Sequence, residues 1–170
     1  NSVSAYSNER AAANAWSKVN GNFISSSGEI IPNAIAKGID ISYHNGTINW
    51  DKVKNSDVDF VIIRCGYGDN YTSQDDKKWL ENVQACESRG IPYGVYIYSY
   101  AENVAQAQSV ADHVLRLIRG HKLSYPVFYD LEDEPTTGRH TNQEILNMTR
   151  TFCTAIQNAG YNVGVYANKY

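Results

Sequence analysis

A chain of 170 residues, 42% hydrophobic and 19% charged, fits one domain with a short appendage and is long enough to bury a real core. Its net charge of −3 gives no electrostatic footprint for nucleic acid, and no apolar run approaches the roughly 18 residues of a membrane span. The compositional bias is 13 Tyr, whose flat ring and polar tip suit ligands that are both ring-shaped and hydroxylated.

Residues 1–36 are rich in Ser, Asn and Ala and read as a leader or linker. A short helix is expected around Asn8–Val19, then a hairpin over Asn20–Asn33 turned by Ser25-Ser26-Ser27-Gly28. From Lys37 the pattern changes to short apolar runs alternating with amphipathic helices. The runs Lys37–Tyr43, Phe60–Tyr67, Tyr93–Tyr100, Val127–Glu132 and Asn162–Asn168 are β-branched or aromatic and bounded by Gly, Pro or Asn, as strands are. Helical spacing links Trp79, Leu80, Val83 and Cys86, with Gly90 where a C′ residue belongs. A second helix carries Val110, Val114, Leu117 and Ile118, closed by Arg119 and Gly120. Thr141-Asn142-Gln143-Glu144 fits a capping box that opens a third helix, through Ile145, Met148, Phe152 and Ile156 to Gly160.

This alternation predicts an α/β fold with parallel strands and right-handed crossovers, as a barrel or an open sheet. The phosphate-cradling glycine motifs of the open class are missing, and Gly66-Tyr67-Gly68 is only a fragment of one. No nucleotide site is expected. Cys65, Cys86 and Cys153 form no CxxC and read as buried free thiols. His44, His113, His121 and His140 lack metal-ligand spacing, so neither a metal nor another cofactor is expected.

Chemistry enters with Val127-Phe128-Tyr129-Asp130-Leu131-Glu132. Positions i and i+2 of a strand share a face, so Asp130 and Glu132 project together, about 6.6 Å apart along the backbone. Two carboxyl groups in a partly dry site push one pKa upward, leaving one acid protonated near neutral pH. Glycosidic cleavage needs such a pair, an acid for the leaving oxygen and a carboxylate for the developing cation. The plain alternative is a solvated acidic loop, because Asp133 and Glu134 follow directly. Asp40 and Ser42 share a face near the end of the first strand, although Asp40 is also placed to cap a turn. In a barrel such strand ends gather at one mouth, where active sites form.

These segments, in order, resemble the glycoside hydrolase family 25 lysozymes, the Chalaropsis-type N-acetylmuramidases. The resemblance rests on Lys37–Ser42 with Gly46–Trp50, Phe60–Gly68, Gly94–Ala101, Pro126–Asp133, Thr151–Cys153 and Ala159–Asn168. It covers residues 37–170 as a catalytic domain and leaves 1–36 outside. It implies an irregular, TIM-like β/α barrel and cleavage of the β-1,4 bond between N-acetylmuramic acid and N-acetylglucosamine. By that analogy Glu132 is the general acid, and Asp130 either polarises the substrate's 2-acetamido group, the preferred reading, or acts as nucleophile. Asp40 matches the family's first-strand aspartate.

The family often has Gln where Asn45 stands and Asp where Asn49 stands. Its barrel has eight strands, and about five are recognisable here. The expectation is a fragment, its last strands and any wall-binding modules belonging to a longer protein.

Tyr67, Tyr98 and Tyr166 lie near strand ends, where they would stack on sugar rings or pack the rim. Arg64 lies mid-strand and needs a partner if buried, for which one of the acids is the candidate. His44 follows Asp40 at the mouth and is a candidate substrate contact. The expected protein is a secreted, wall-associated hydrolase of peptidoglycan glycan strands that uses no cofactor. Two rivals stand beside it, a glycan-binding module that has lost turnover and a chitinase-like barrel hydrolase.

Overall fold

The computed structural model describes residues 16–168. It begins with a small antiparallel ladder, β1 (Ser17–Val19) on β2 (Asn22–Ile24). Asn20 and Gly21 turn it with φ of 50° and 80°, the left-handed pair that a two-residue hairpin requires. The expected turn at Ser25–Gly28 is also present and brings Ile30 back to bridge Ile24. Ser17–Val19 are therefore strand and not the end of a helix; residues 8–15 of the expected helix lie outside the described residues.

The main sheet holds β3 (Gly38–Ile41), β4 (Phe60–Tyr67), β5 (Tyr93–Tyr98), β6 (Val127–Asp130) and β7 (Val163–Tyr166). All pairings are parallel and follow chain order. The crossovers carry α1 (Trp50–Lys54), α2 (Trp79–Arg89), α3 (Val104–Leu117), a short α4 (Glu134–Thr137) and α5 (Asn142–Asn158). α1 is a single capped turn too short to show a period, with the Asn49 side chain accepting from Lys52 N–H at 3.0 Å. Gly90 ends α2 in the left-handed conformation, and Thr141 with Glu144 forms the capping box of α5.

Among the described residues β3 and β7 do not meet, so the five expected parallel strands form an open sheet and not a closed barrel. Five strands are too few to close at the tilt of a β/α barrel, which takes about eight.

Alternation divides the sheet into two faces. Ile41, Val61, Ile63, Val95, Ile97, Val127 and Tyr129 face the helices and meet Val83, Val110, Val114, Met148, Phe152 and Ile156 in one buried core. Each such side chain contributes roughly 1.5–3 kcal/mol of burial. Tyr129 stacks on Phe152 with centroids 4.1 Å apart, and its hydroxyl lies 3.0 Å from the Ser99 hydroxyl. Leu80, which the sequence places on the apolar side of α2, is exposed. Cys65 and Cys86 are buried free thiols in the same core, while Cys153 packs against its edge.

The opposite face carries Asp40, Ile62, Tyr96, Phe128, Asp130 and Tyr166. Its floor is aromatic. A Cβ on Gly38 would lie 2.3 Å from the Phe60 ring, and one on Gly164 would lie 2.6 Å from the Phe128 ring. These two glycines let large rings lie flat across the neighbouring strand. A bulge between Arg64 and Gly66 shifts the register of β4, so that Tyr67 pairs with Tyr98. The bulge carries Tyr67 off the helix side, where strict alternation from Val61, Ile63 and Cys65 would have put it.

Candidate active site

A cleft of about 290 Å³ opens on the face away from the helices, toward the C-terminal ends of the strands. Asp40, Ile62, Tyr96, Phe128, Asp130, Glu132 and Tyr166 line it. Asp130 ends β6, between Tyr98 on β5 and Tyr166 on β7. Leu131 turns into the core, so Glu132 returns to the face of Asp130. The acids differ in depth: Asp130 is buried, Glu132 is half-buried and Asp40 is exposed.

Burial pushes the Asp130 carboxyl up to about 7, and the negative charges of Glu132 and Asp40 add to the effect. Its Oδ1 atom is buried without a hydrogen-bond partner among the described residues. Asn168 Nδ2 donates to Glu132 Oε2 at 3.4 Å. Burial pushes the Tyr96 phenol up to about 12, with the Asp40 and Asp130 charges acting in the same direction and a hydrogen bond with the Ser42 side chain opposing them. The charge of Glu132 is the largest cause raising the Tyr166 phenol. The arrangement is one buried carboxyl whose pKa is raised toward neutrality, flanked by two further acidic side chains and two phenols. Such a set can donate a proton and stabilise a developing positive charge. Among the described residues no group of three or more His, Cys, Asp or Glu side chains is placed to hold a metal ion.

Of the residues singled out in the sequence, Asp40, Asp130, Glu132 and Tyr166 meet in this cleft, while Tyr67, Tyr98, Arg64 and His44 lie outside its lining. Tyr98 donates its hydroxyl to Asp133 Oδ1 at 3.2 Å, and Tyr100 meets the rings of both Tyr98 and Tyr67 edge-on. His44 is exposed and packs its ring 3.9 Å from that of Tyr43. Arg64 does not pair with a cleft acid; its Nε donates to Asp76 Oδ2 at 2.8 Å. Asp76, whose side chain is fully buried, is nearer than any carboxyl of the cleft and escapes notice beside Asp75 in a polar loop. Tyr96 also escapes notice, although its place two residues before Tyr98 puts it on the same face.

The family model for glycosyl hydrolases family 25 matches residues 39–170. The autolytic lysozyme of Clostridium acetobutylicum is 31% identical over 130 residues, covering 76% of this chain and 37% of that protein. Lysozyme M1 of Streptomyces globisporus is 29% identical over 103 residues, covering 59% and 34%. The chain thus spans little more than a third of the curated relatives it matches. Among solved structures, the modular autolysin LytC of Streptococcus pneumoniae is 36% identical with a TM-score of 0.75, over 89% of this chain and 37% of that one. LytC has also been solved with a synthetic peptidoglycan ligand, and that structure matches at 35% identity and a TM-score of 0.76, over 91% of this chain and 38% of that one. With the acid-lined cleft in the matched region and the family model covering most of the sequence, the chain belongs to glycosyl hydrolases family 25.

Proposed function

We propose that the protein is a muramidase that hydrolyses the β-1,4 bond between N-acetylmuramic acid and N-acetylglucosamine in peptidoglycan. The observation that carries the reading is the buried Asp130 in the cleft beside Glu132, two carboxyl groups that between them retain a proton near neutrality. The lysozyme relatives and the peptidoglycan complex of LytC support the choice of substrate.

Glu132, less buried and at the cleft wall, protonates the leaving glycosidic oxygen. In the reactive form the shared proton sits on Glu132, and the Asp130 carboxylate, whose Oδ1 has no partner among the described residues, accepts from the N–H of the 2-acetamido group, whose carbonyl oxygen attacks the anomeric carbon. Water then opens the resulting oxazolinium ring, with Glu132 taking back a proton. The Asp40 carboxylate stabilises the positive charge of the transition state, and Tyr166 lies against the sugar at the outer wall. The protein needs no cofactor for this chemistry and acts outside the cell on the wall. Residues 37–170 form the family's catalytic domain with 1–36 as a leader or linker, and the open sheet supplies five strands of an irregular β/α barrel.

Peptidoglycan digests by the wild-type chain, Glu132→Gln and Asp130→Asn test the reading through release of new reducing ends. Wild-type release that both variants lose supports it. Sedimentation of the chain with walls and no release overturns it in favour of a binding module.

A further inference from the structure

Beside the cleft stands a group of residues that the acid chemistry leaves without a role. Asp76 is fully buried at its side chain and makes three charge-assisted or backbone bonds. Its Oδ2 accepts from Arg64 Nε at 2.8 Å and from Tyr43 N–H at 3.1 Å, and its Oδ1 accepts from Lys78 N–H at 2.9 Å. One carboxylate therefore joins the turn after β3, the middle of β4 and the start of α2. The Arg64 guanidinium carbon lies 4.9 Å from the Tyr43 ring centroid and 5.8 Å from that of Tyr67, so one cation supports two phenol rings. Arg64 is more than nine-tenths buried, and its Nη2 has no hydrogen-bond partner among the described residues.

A purely structural ion pair would be expected to saturate its buried donors, because an unmet buried donor costs about 1–3 kcal/mol. Here the guanidinium gives its Nε–H to Asp76 and lies over two aromatic rings. Both rings lie outside the cleft lining: Tyr43 follows β3 and is partly exposed, and Tyr67 is carried to the cleft face of the sheet by the bulge in β4. Tyr100, also exposed, meets Tyr67 edge-on at 6.3 Å. A pyranose presents an apolar C–H face ringed by hydroxyls, which a phenol matches with its ring and its tip.

We propose that Asp76 is a positioning residue that, through Arg64, fixes Tyr43 and Tyr67 as a platform for a sugar ring next to the acid cleft. The ligand class is a pyranose of the glycan strand, one or more units away from the bond that breaks. This rests on the glycan-hydrolase reading and adds to it a source of affinity separate from the reacting carboxyls. Asp76 affects binding more than chemistry because it touches no reacting atom.

The test measures binding of a soluble peptidoglycan oligosaccharide by calorimetry, with KM and kcat for its hydrolysis, in the wild type, Tyr43→Ala, Asp76→Asn and their double variant. The platform predicts about tenfold weaker binding and higher KM in each single variant, with kcat within about twofold. It also predicts that the double variant is no worse than Tyr43→Ala, since both remove one contact. If Asp76→Asn fails to fold, Arg64→Lys keeps the charge and loses the guanidinium over the two rings, and the same loss is predicted. Unchanged affinity in Tyr43→Ala, or additive losses in the double variant, overturns the platform. Absence of binding and of cleavage by the wild type instead removes the hydrolase reading on which it rests.

Discussion

Asp130 and Tyr166 stand opposite each other in the β6–β7 register, so one strand pair fixes both the buried carboxyl and the outer wall of the cleft. Leu131 N–H donates to the Tyr166 carbonyl at 2.9 Å and extends that register past the last strand residue. The Tyr166 ring is half exposed, so its worth lies in what it contacts and not in stability. Tyr166→Ala is expected to lower kcat/KM on peptidoglycan about tenfold, the loss of roughly one aromatic contact, with a melting temperature close to wild type. Steady-state kinetics beside a thermal melt checks both halves.

The Asp130 carboxyl rises from its usual 3.8 to about 7, through burial first and the charge of Glu132 second. Between these values the folded protein keeps a proton that the unfolded chain has released. Stability contributed by this group is therefore greatest below about pH 4 and falls as pH rises to about 7. Asp130→Asn should remove that slope and stabilise the fold at about pH 8 by about 1–3 kcal/mol, while abolishing hydrolysis. Urea unfolding of both proteins at several pH values measures the difference.

The Tyr129–Phe152 stack joins β6 to α5 one residue before the buried acid. Both rings are fully buried. Phe152→Ala is expected to cost about 3–5 kcal/mol through lost contact and the cavity left behind. The urea midpoint should fall with little change in slope.

Gly164 has no room for a side chain, because a Cβ there would meet Phe128 Cε1 at 2.6 Å. Phe128 lines the cleft, so a shift of its ring changes the shape of the cleft. Gly164→Ala should destabilise the protein by about 1–3 kcal/mol and raise KM, since the displaced ring enters the substrate's volume. A KM unchanged from wild type would place the ring's movement elsewhere.

The strands and long helices were legible because each shows its own period: Val61, Ile63 and Cys65 alternate, whereas Met148, Phe152 and Ile156 repeat every four residues. The i, i+2 rule likewise carried Asp130 and Glu132 to one face. The side of Tyr67 was not legible, because the register shift that decides it arises from pairing with β5. Nor was the Arg64–Asp76 pair, twelve residues apart, since an Asp in a polar loop gives no local sign of burial. Asn20-Gly21 did carry a readable turn signal, but the Ala-rich stretch before it suggested helix. Closure of the sheet depends on strand number and curvature, which no local pattern encodes.

The most direct test of the central claim is mass spectrometry of borohydride-reduced products from purified peptidoglycan digested by this chain, with Glu132→Gln as control. Muramidase action through Glu132 predicts muropeptides ending in reduced N-acetylmuramic acid, absent from the control digest. Products ending in reduced N-acetylglucosamine, or the same products from the control, would contradict it.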